Sequence, residues 1–383
     1  MPVDTGEKRN EVFIVGAGLS KQVHDQMPLL MDLSSVVEEK FKTNPTFQSD
    51  RIKPFIQNGD FELLLSYLHT DSPWKSPSES LDDKSLFFQI ADVIADEIIE
   101  RETASLIYDK LPVWLEKLEI YFDWFQPTVI SFNYDTILER AAWLSKSFNG
   151  ERASFSQHIY ATHLYLPIMQ DIRVPSSRAR IPDSLGRGLP TFRLIKLHGS
   201  INWFYSGSDD FPGEQVYFAE AQKNNPKDDY QIIEPYVLNK QRLIIPPVSE
   251  KTSFYSNFLV RALWKESMEA LKDAERIFFI GYSLPQTDLM TMQLLLSSIS
   301  SEAEVFVVSE GNQQDTKKQE LIERYKNAIP QVEDRINTKY VCKNAIFELA
   351  RDLTGDDPQV YNINPSRKLP KDEDLLMLWN REE

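Results

Sequence analysis

The sequence predicts an α/β fold, a parallel β-sheet flanked by helices, and three observations carry that expectation. Short continuous apolar runs recur near 11–15, 129–132, 194–197, 277–280 and 304–308, as strands buried on both faces require. Each run stops abruptly at small or polar residues. After several of them apolar residues return at helical spacing, and strand followed by helix, repeated, is the pattern of a parallel sheet. In such sheets ligands gather just past the carboxyl ends of the strands, so the residues that end each run are the candidate site.

The first run is Glu11-Val-Phe-Ile-Val15, followed by Gly16-Ala-Gly-Leu-Ser20. Strand, glycine turn and helix start have the form of a phosphate-binding loop, in which glycines let backbone N–H groups approach the anion. The full dinucleotide fingerprint is absent: Lys21 stands where a third glycine would. A strand–turn–helix without a ligand is the alternative. Residues 28–125 read as a helical insertion, with Leu29, Leu30, Leu33, Val36, Val37 and Phe41, then Leu86, Phe87, Ile90, Val93, Ile94 and Ile98, at helical spacing. The stretch 73–83 reads as a polar Pro/Ser loop. The aromatic residues of 111–125 read as core packing rather than a cofactor box.

The second run, Val129-Ile-Ser-Phe-Asn-Tyr-Asp135, turns into a helix at Asp135-Thr136, which places Asn133 and Asp135 at the ligand edge. Residues 146–240 read as a small irregular subdomain, with short strand candidates at 215–219 and 231–236. His158 and His163 lie there five apart, a spacing that does not put two imidazoles on one strand face, so a zinc site is not expected. The third run ends at His198-Gly199, where the alternatives are a ligand-edge histidine and a structural one in a turn. Residues 254–270 read as a helix. The fourth run ends at Gly281-Tyr-Ser-Leu-Pro285, where Gly281 permits close backbone approach, Ser283 offers a hydroxyl and Pro285 suits a first helical turn. The fifth ends at Ser309-Glu310, and 345–353 closes the domain as a helix. One domain over 1–353 is expected, then an extended tail over 354–383 whose cluster Leu375 to Trp379 is a candidate oligomer or partner contact.

Composition bounds the function. The 383 residues carry a net charge of −16, which argues against tight sequence-independent binding to nucleic acid. A single cysteine, Cys342, excludes an intrachain disulfide and a four-cysteine zinc site. The start is polar, and no apolar run approaches the ~18 residues of a membrane helix. No membrane role and a cytoplasmic setting are therefore expected.

The order Gly16-Ala-Gly-Leu-Ser20, Phe132-Asn-Tyr-Asp135, Leu197-His-Gly-Ser200, Gly281-Tyr-Ser-Leu-Pro285 and a strand ending at Ser309-Glu310 resembles the Sir2 family, and more narrowly its bacterial Sir2-like NADases of antiphage defence. The resemblance implies a Rossmann-like fold without a zinc module. It implies that Gly16, Ala17, Gly18 and Ser20 surround the pyrophosphate of NAD+. Asn133 would stand beside the nicotinamide ribose, Asp135 at the carboxamide, and His198 would be the base that engages the ribose hydroxyls. Gly281 and Ser283 would lie at the phosphate and adenine-ribose side, and Ser309 and Glu310 at the adenosine. Protein-deacylating members carry four zinc cysteines and a Pro-Asp-Phe-Arg segment, both missing here. The resemblance therefore implies hydrolysis of NAD+, as substrate and without a metal, to nicotinamide and ADP-ribose. The rival readings are a deacylase or ADP-ribosyltransferase on the same fold, a non-catalytic NAD+ or ADP-ribose sensor, and a structural subunit. An enzyme that destroys NAD+ has to be restrained, so homo-oligomerisation and a separate sensing chain, such as a HerA-type ATPase, are the expected partners.

Overall fold

The computed structural model describes residues 10–105, 111–144, 146–147, 157–158, 170–171, 192–206, 216–219, 240–246, 248, 254–285 and 288–354. Strand β1 (Glu11–Val15) leads into α1 (Ala17–Val23). Helices α2 (Leu30–Phe41), α3 (Lys53–Asn58), α4 (Phe61–His69), α5 (Pro77–Ala104) and α6 (Val113–Phe125) form the insertion. Then come β2 (Thr128–Ser131), α7 (Ile137–Leu144) and the two-residue strands β3 (Lys146–Ser147), β4 (Gln157–His158) and β5 (Gln170–Asp171). Strand β6 (Arg193–Lys196) turns at once into β7 (Gly199–Ser206), followed by β8 (Val216–Phe218) and β9 (Lys240–Ile244). The last part is α8 (Phe258–Lys272), β10 (Arg276–Ile280), α9 (Leu289–Ser298), β11 (Glu304–Glu310), α10 (Thr316–Ala328), β12 (Ile336–Asn337), β13 (Val341–Cys342) and α11 (Ala345–Thr354).

A seven-stranded parallel sheet in the order β12-β11-β10-β1-β2-β6, with β13 also beside β11, organises these elements. All five residues of β1 are buried, Val12 to Val15 as an apolar run requires and Glu11 with its carboxylate met by the Tyr121 hydroxyl and Arg276. The register brings Phe13, Phe278 and Phe306 side by side on three neighbouring strands. Their rings stack in a row, each 4.7 Å from the next. Phe122 of α6 caps that row, with its ring 4.8 Å from Phe13. Neighbouring strand residues point to opposite faces, so Phe279 looks the other way, where Tyr325 of α10 meets it at 4.8 Å. Helices thus cover both faces, and the aromatic residues of 111–125 whose side chains are described serve packing, as expected.

The chain lays down β1, β2 and β6 in one direction and then returns to the other side of β1 with β10. The order therefore reverses between β1 and β10, the crevice where open α/β sheets bind ligands. A four-stranded sheet, β5-β8-β7-β9, packs beyond β6 and includes the Ile201–Tyr205 run.

Two expectations about helix starts are corrected. The stretch 73–83 is not a loop throughout, because α5 begins at Pro77. Ser76 and Glu79 close a reciprocal capping box, with the Ser76 N–H donating to Glu79 Oε2 at 2.8 Å and proline in the first turn. Helix α9 begins at Leu289 rather than near Pro285. Leu284 takes a left-handed φ of 50°, and Asp288 supplies the cap. The strand candidate at 231–236, His163, and the tail with its Leu375 to Trp379 cluster lie outside the described residues. Among the described residues no helix is long and apolar enough to cross a membrane.

Candidate active site

The ends of β1, β2, β6, β10 and β11 open onto one cavity of about 560 Å³. That is within the ~300–1,000 Å³ of small-molecule sites. Every site residue singled out from the sequence lines it: Gly16, Ala17, Gly18, Ser20, Asn133, Asp135, His198, Gly281, Ser283, Ser309 and Glu310. Residues 27–31 and Leu33 add an apolar wall.

The glycines let two strand-end turns interlock. The Gly18 N–H donates to Gly281 O at 2.9 Å. A Cβ on Gly16 would stand 2.7 Å from the Tyr282 backbone, and one on Gly18 2.7 Å from Gly281 O. Gly281 has φ +58°, and a Cβ there would meet the Leu19 nitrogen at 2.3 Å. The floor of the crevice is consequently bare backbone.

Past β2, three of the expected residues form one hydrogen-bonded chain. Asn133 Nδ2 donates to Gly16 O and to Ser20 Oγ, each at 3.0 Å, and Ser20 Oγ donates to Asp135 Oδ2 at 2.6 Å. Asp135 Oδ1 also accepts the Ile137 N–H at 3.2 Å, so the carboxylate caps α7. Burial, with Glu102 nearby, pushes the Asp135 carboxyl up to about 6, against the opposing pull of Lys196 and the Ser20 hydroxyl.

Behind this chain lies a second polar layer that the sequence reading did not foresee. Lys196, almost wholly buried, bonds Glu139 Oε1 at 3.0 Å and Ser200 Oγ at 2.6 Å, and also reaches the Asp135 carbonyl. Arg140 Nε donates to Glu102 Oε1 at 2.7 Å, and Glu102 Oε2 accepts the Thr136 N–H at 2.8 Å. These bonds tie β6 and α5 to the turn that carries Asn133 and Asp135.

His198 ends β6 in a turn only a glycine can follow. Gly199 has φ +78°, and a Cβ there would lie 1.9 Å from Leu243 O. The imidazole stands 5.1 Å from the Phe132 ring, edge to face, and 6.5 Å from Tyr134. Its Nε2 lies 3.3 Å from Asp288 Oδ2. Tyr282 stacks on Phe132 at 4.5 Å and completes an aromatic wall. Burial, with Asp288 next, raises the Tyr134 and Tyr282 hydroxyls well above their ordinary range, so both stay neutral.

At the β11 end Lys318 Nζ donates to Ser309 Oγ at 2.7 Å, and burial draws the ammonium down from its usual value despite Glu310 and Asp315. Glu310 lines the cavity while its carboxylate caps α11, accepting from Asn344 N at 2.9 Å and Ala345 N at 3.1 Å. Asp288, Lys318, Tyr134 and Tyr282 join the site although the sequence reading did not single them out. An acidic residue before an apolar run, a cap signal, was the one available clue to Asp288. Among the described residues no group of three or more His, Cys, Asp and Glu is arranged to hold a metal ion.

No protein-family model matches the chain, and no curated protein does. Solved structures that it resembles include a Sir2 homolog–NAD complex, with TM-score 0.38 and 12% identity over 92% of this chain and 88% of that one. Another is a Sir2–p53 peptide–NAD+ structure, with TM-score 0.37 and 13% identity over 90% and 91%. A third is Sir2Tm bound to a propionylated peptide, with TM-score 0.32 and 13% identity over the same shares.

Proposed function

We propose that this chain binds NAD+ along the strand-end cavity and hydrolyses the nicotinamide–ribose bond, giving nicotinamide and ADP-ribose. The observation that carries the reading is the meeting, in one cavity at the sheet's reversal point, of a bare glycine floor, the Asn133–Ser20–Asp135 chain and a histidine. The glycine turns take the pyrophosphate where side chains would block it, and the Ser309–Lys318 pair stands at the adenosine end.

The chemistry asks little more of the protein. As the C1′–N bond breaks, its electron pair leaves with the nicotinamide ring nitrogen, and C1′ passes through an oxocarbenium-like state. Asp135 holds the departing carboxamide. Water bonds to C1′ and gives its proton to His198, an imidazole being a side chain type suited to base catalysis near neutral pH. Asn133, fixed by Gly16 and Ser20, positions the ribose and the water. The aromatic wall of Phe132, Tyr134 and Tyr282 keeps the reacting centre dry without adding charge.

The narrower reading is an NAD+-depleting effector of antiphage defence, restrained until an oligomer or a sensing partner releases it. It rests on the order of the sequence motifs. Incubation of NAD+ in oxygen-18 water tests the reaction. The expected product is ADP-ribose carrying one heavy oxygen, with an equal amount of nicotinamide, and the Asn133→Ala protein makes neither. Adding lysate from phage-infected cells tests the restraint. If no ADP-ribose forms with or without lysate, the hydrolase reading falls.

A further inference from the structure

We propose that Asp288 is the positioning partner of His198, holding the imidazole in one orientation and one tautomer and stabilising it when it takes a proton. The inference rests on the reading of His198 as the base and adds a residue to it from a different, distant element.

The geometry is built rather than incidental. Asp288 precedes α9, and its Oδ2 lies 3.3 Å from His198 Nε2. The same carboxylate accepts the Thr291 N–H at 3.3 Å and the Thr291 hydroxyl at 2.8 Å, and Thr291 is fully buried. Helix α9 therefore fixes the carboxylate, and the carboxylate in turn fixes the ring. A carboxylate can only accept, so the nitrogen facing it carries the hydrogen and the basic lone pair is left on Nδ1.

Capping alone does not explain an aspartate here. Asparagine caps a helix about as well as aspartate does. What aspartate adds is negative charge beside a histidine that is itself 8% exposed, and a nearby opposite charge favours the protonated ring. Other titratable groups face the same space. Tyr134 comes from the turn after β2 and Tyr282 from the turn after β10, and both are held neutral. Glu62 of α4 and Asp135 line the cavity as well. Among the described residues Asp288 brings a carboxylate oxygen within 3.3 Å of the imidazole nitrogen.

Asp288→Asn separates the two roles, because it keeps the cap and removes the charge. Histidine ring signals would be followed by NMR across pH 5–9 in the full chain, with His198→Ala to assign His198. In the wild type the expected neutral form is the Nε2–H tautomer. In Asp288→Asn the His198 titration midpoint is expected to fall by about one pH unit and the tautomers to mix. The melting temperature should stay close to wild type, whereas Asp288→Ala, which also loses the cap, should melt lower. In the NAD+ assay kcat is expected to fall about 10- to 100-fold in Asp288→Asn with KM nearly unchanged. An unmoved His198 midpoint and tautomer in Asp288→Asn would overturn the pairing. The ring titration needs no turnover, so a chain that proves not to cleave NAD+ sinks the hydrolase reading and leaves the pairing to be judged by NMR.

Discussion

Asp135 and Glu139 stand four residues apart on the same strand-to-helix turn, and their surroundings differ sharply. Glu139 points behind the site and bonds the ammonium of Lys196, both nearly inaccessible, while Glu102 and Arg140 form a second closed pair beside it. Asp135 points into the cavity and is met by a hydroxyl and a backbone N–H. Its carboxyl is raised to about 6, a value from which a neighbouring ligand can shift it either way. A carboxylate thus serves as scaffold in one place and as reactive surface a turn away. What separates them is whether a buried cation has closed the charge.

That contrast can be broken from the back. Removing one partner of a closed buried pair leaves the other charge stranded, so Glu102→Ala is expected to cost about 3–5 kcal/mol in denaturant unfolding. A loss under about 1 kcal/mol would mean that the back layer is not scaffold. Its front counterpart should show the opposite division. A substitution at Asp135 reports on titration rather than collapse, and its sign can be worked out. The folded carboxyl titrates at about 6, above its unfolded value, so the folded state binds the extra proton between about pH 4 and 6. Stability is therefore favoured below that window and falls as pH rises through it. Asp135→Asn removes the penalty, so its melting temperature should exceed wild type by a few degrees at pH 8 and match it near pH 4. Equal gains at both pH values would show that burial of the charge is not what raises the carboxyl. A smaller effect is expected at the far end of the cavity. Lys318→Met removes the ammonium on Ser309 and should raise the KM for NAD+ only a few-fold with kcat unchanged, as loss of uniform binding does.

Most of the cavity lining was legible in the sequence, whereas the back layer and Asp288 were not, for one physical reason. Asn133, His198, Gly281 and Ser309 each follow an apolar run directly, and a parallel sheet gathers all such ends at one edge. Reading them needs only local pattern. Lys196 sits inside an apolar run, Glu102 near the end of a long helix, and Asp288 before another. Their partners are 57, 38 and 90 residues away in sequence, distances at which no periodicity speaks. The start of α5 is a different case. Its Ser-Pro-Ser-Glu stretch has the composition of a loop, but Ser76 and Glu79 stand three apart as a capping box requires, so this start was legible locally. The glycines illustrate a third case. The strand–turn–helix form points to a phosphate, and the structure adds that Gly16, Gly18 and Gly281 are also required by the close approach of two turns.

The most direct measurement keeps binding and chemistry apart. Wild type and His198→Ala would be titrated with NAD+ by calorimetry, and ADP-ribose would be quantified in the same samples. The expected result is that both bind, with dissociation constants within about tenfold, and that only the wild type makes ADP-ribose, the substituted protein being slower by about 10²–10⁴. Absence of NAD+ binding by either protein, or undiminished cleavage by His198→Ala, would contradict the central claim.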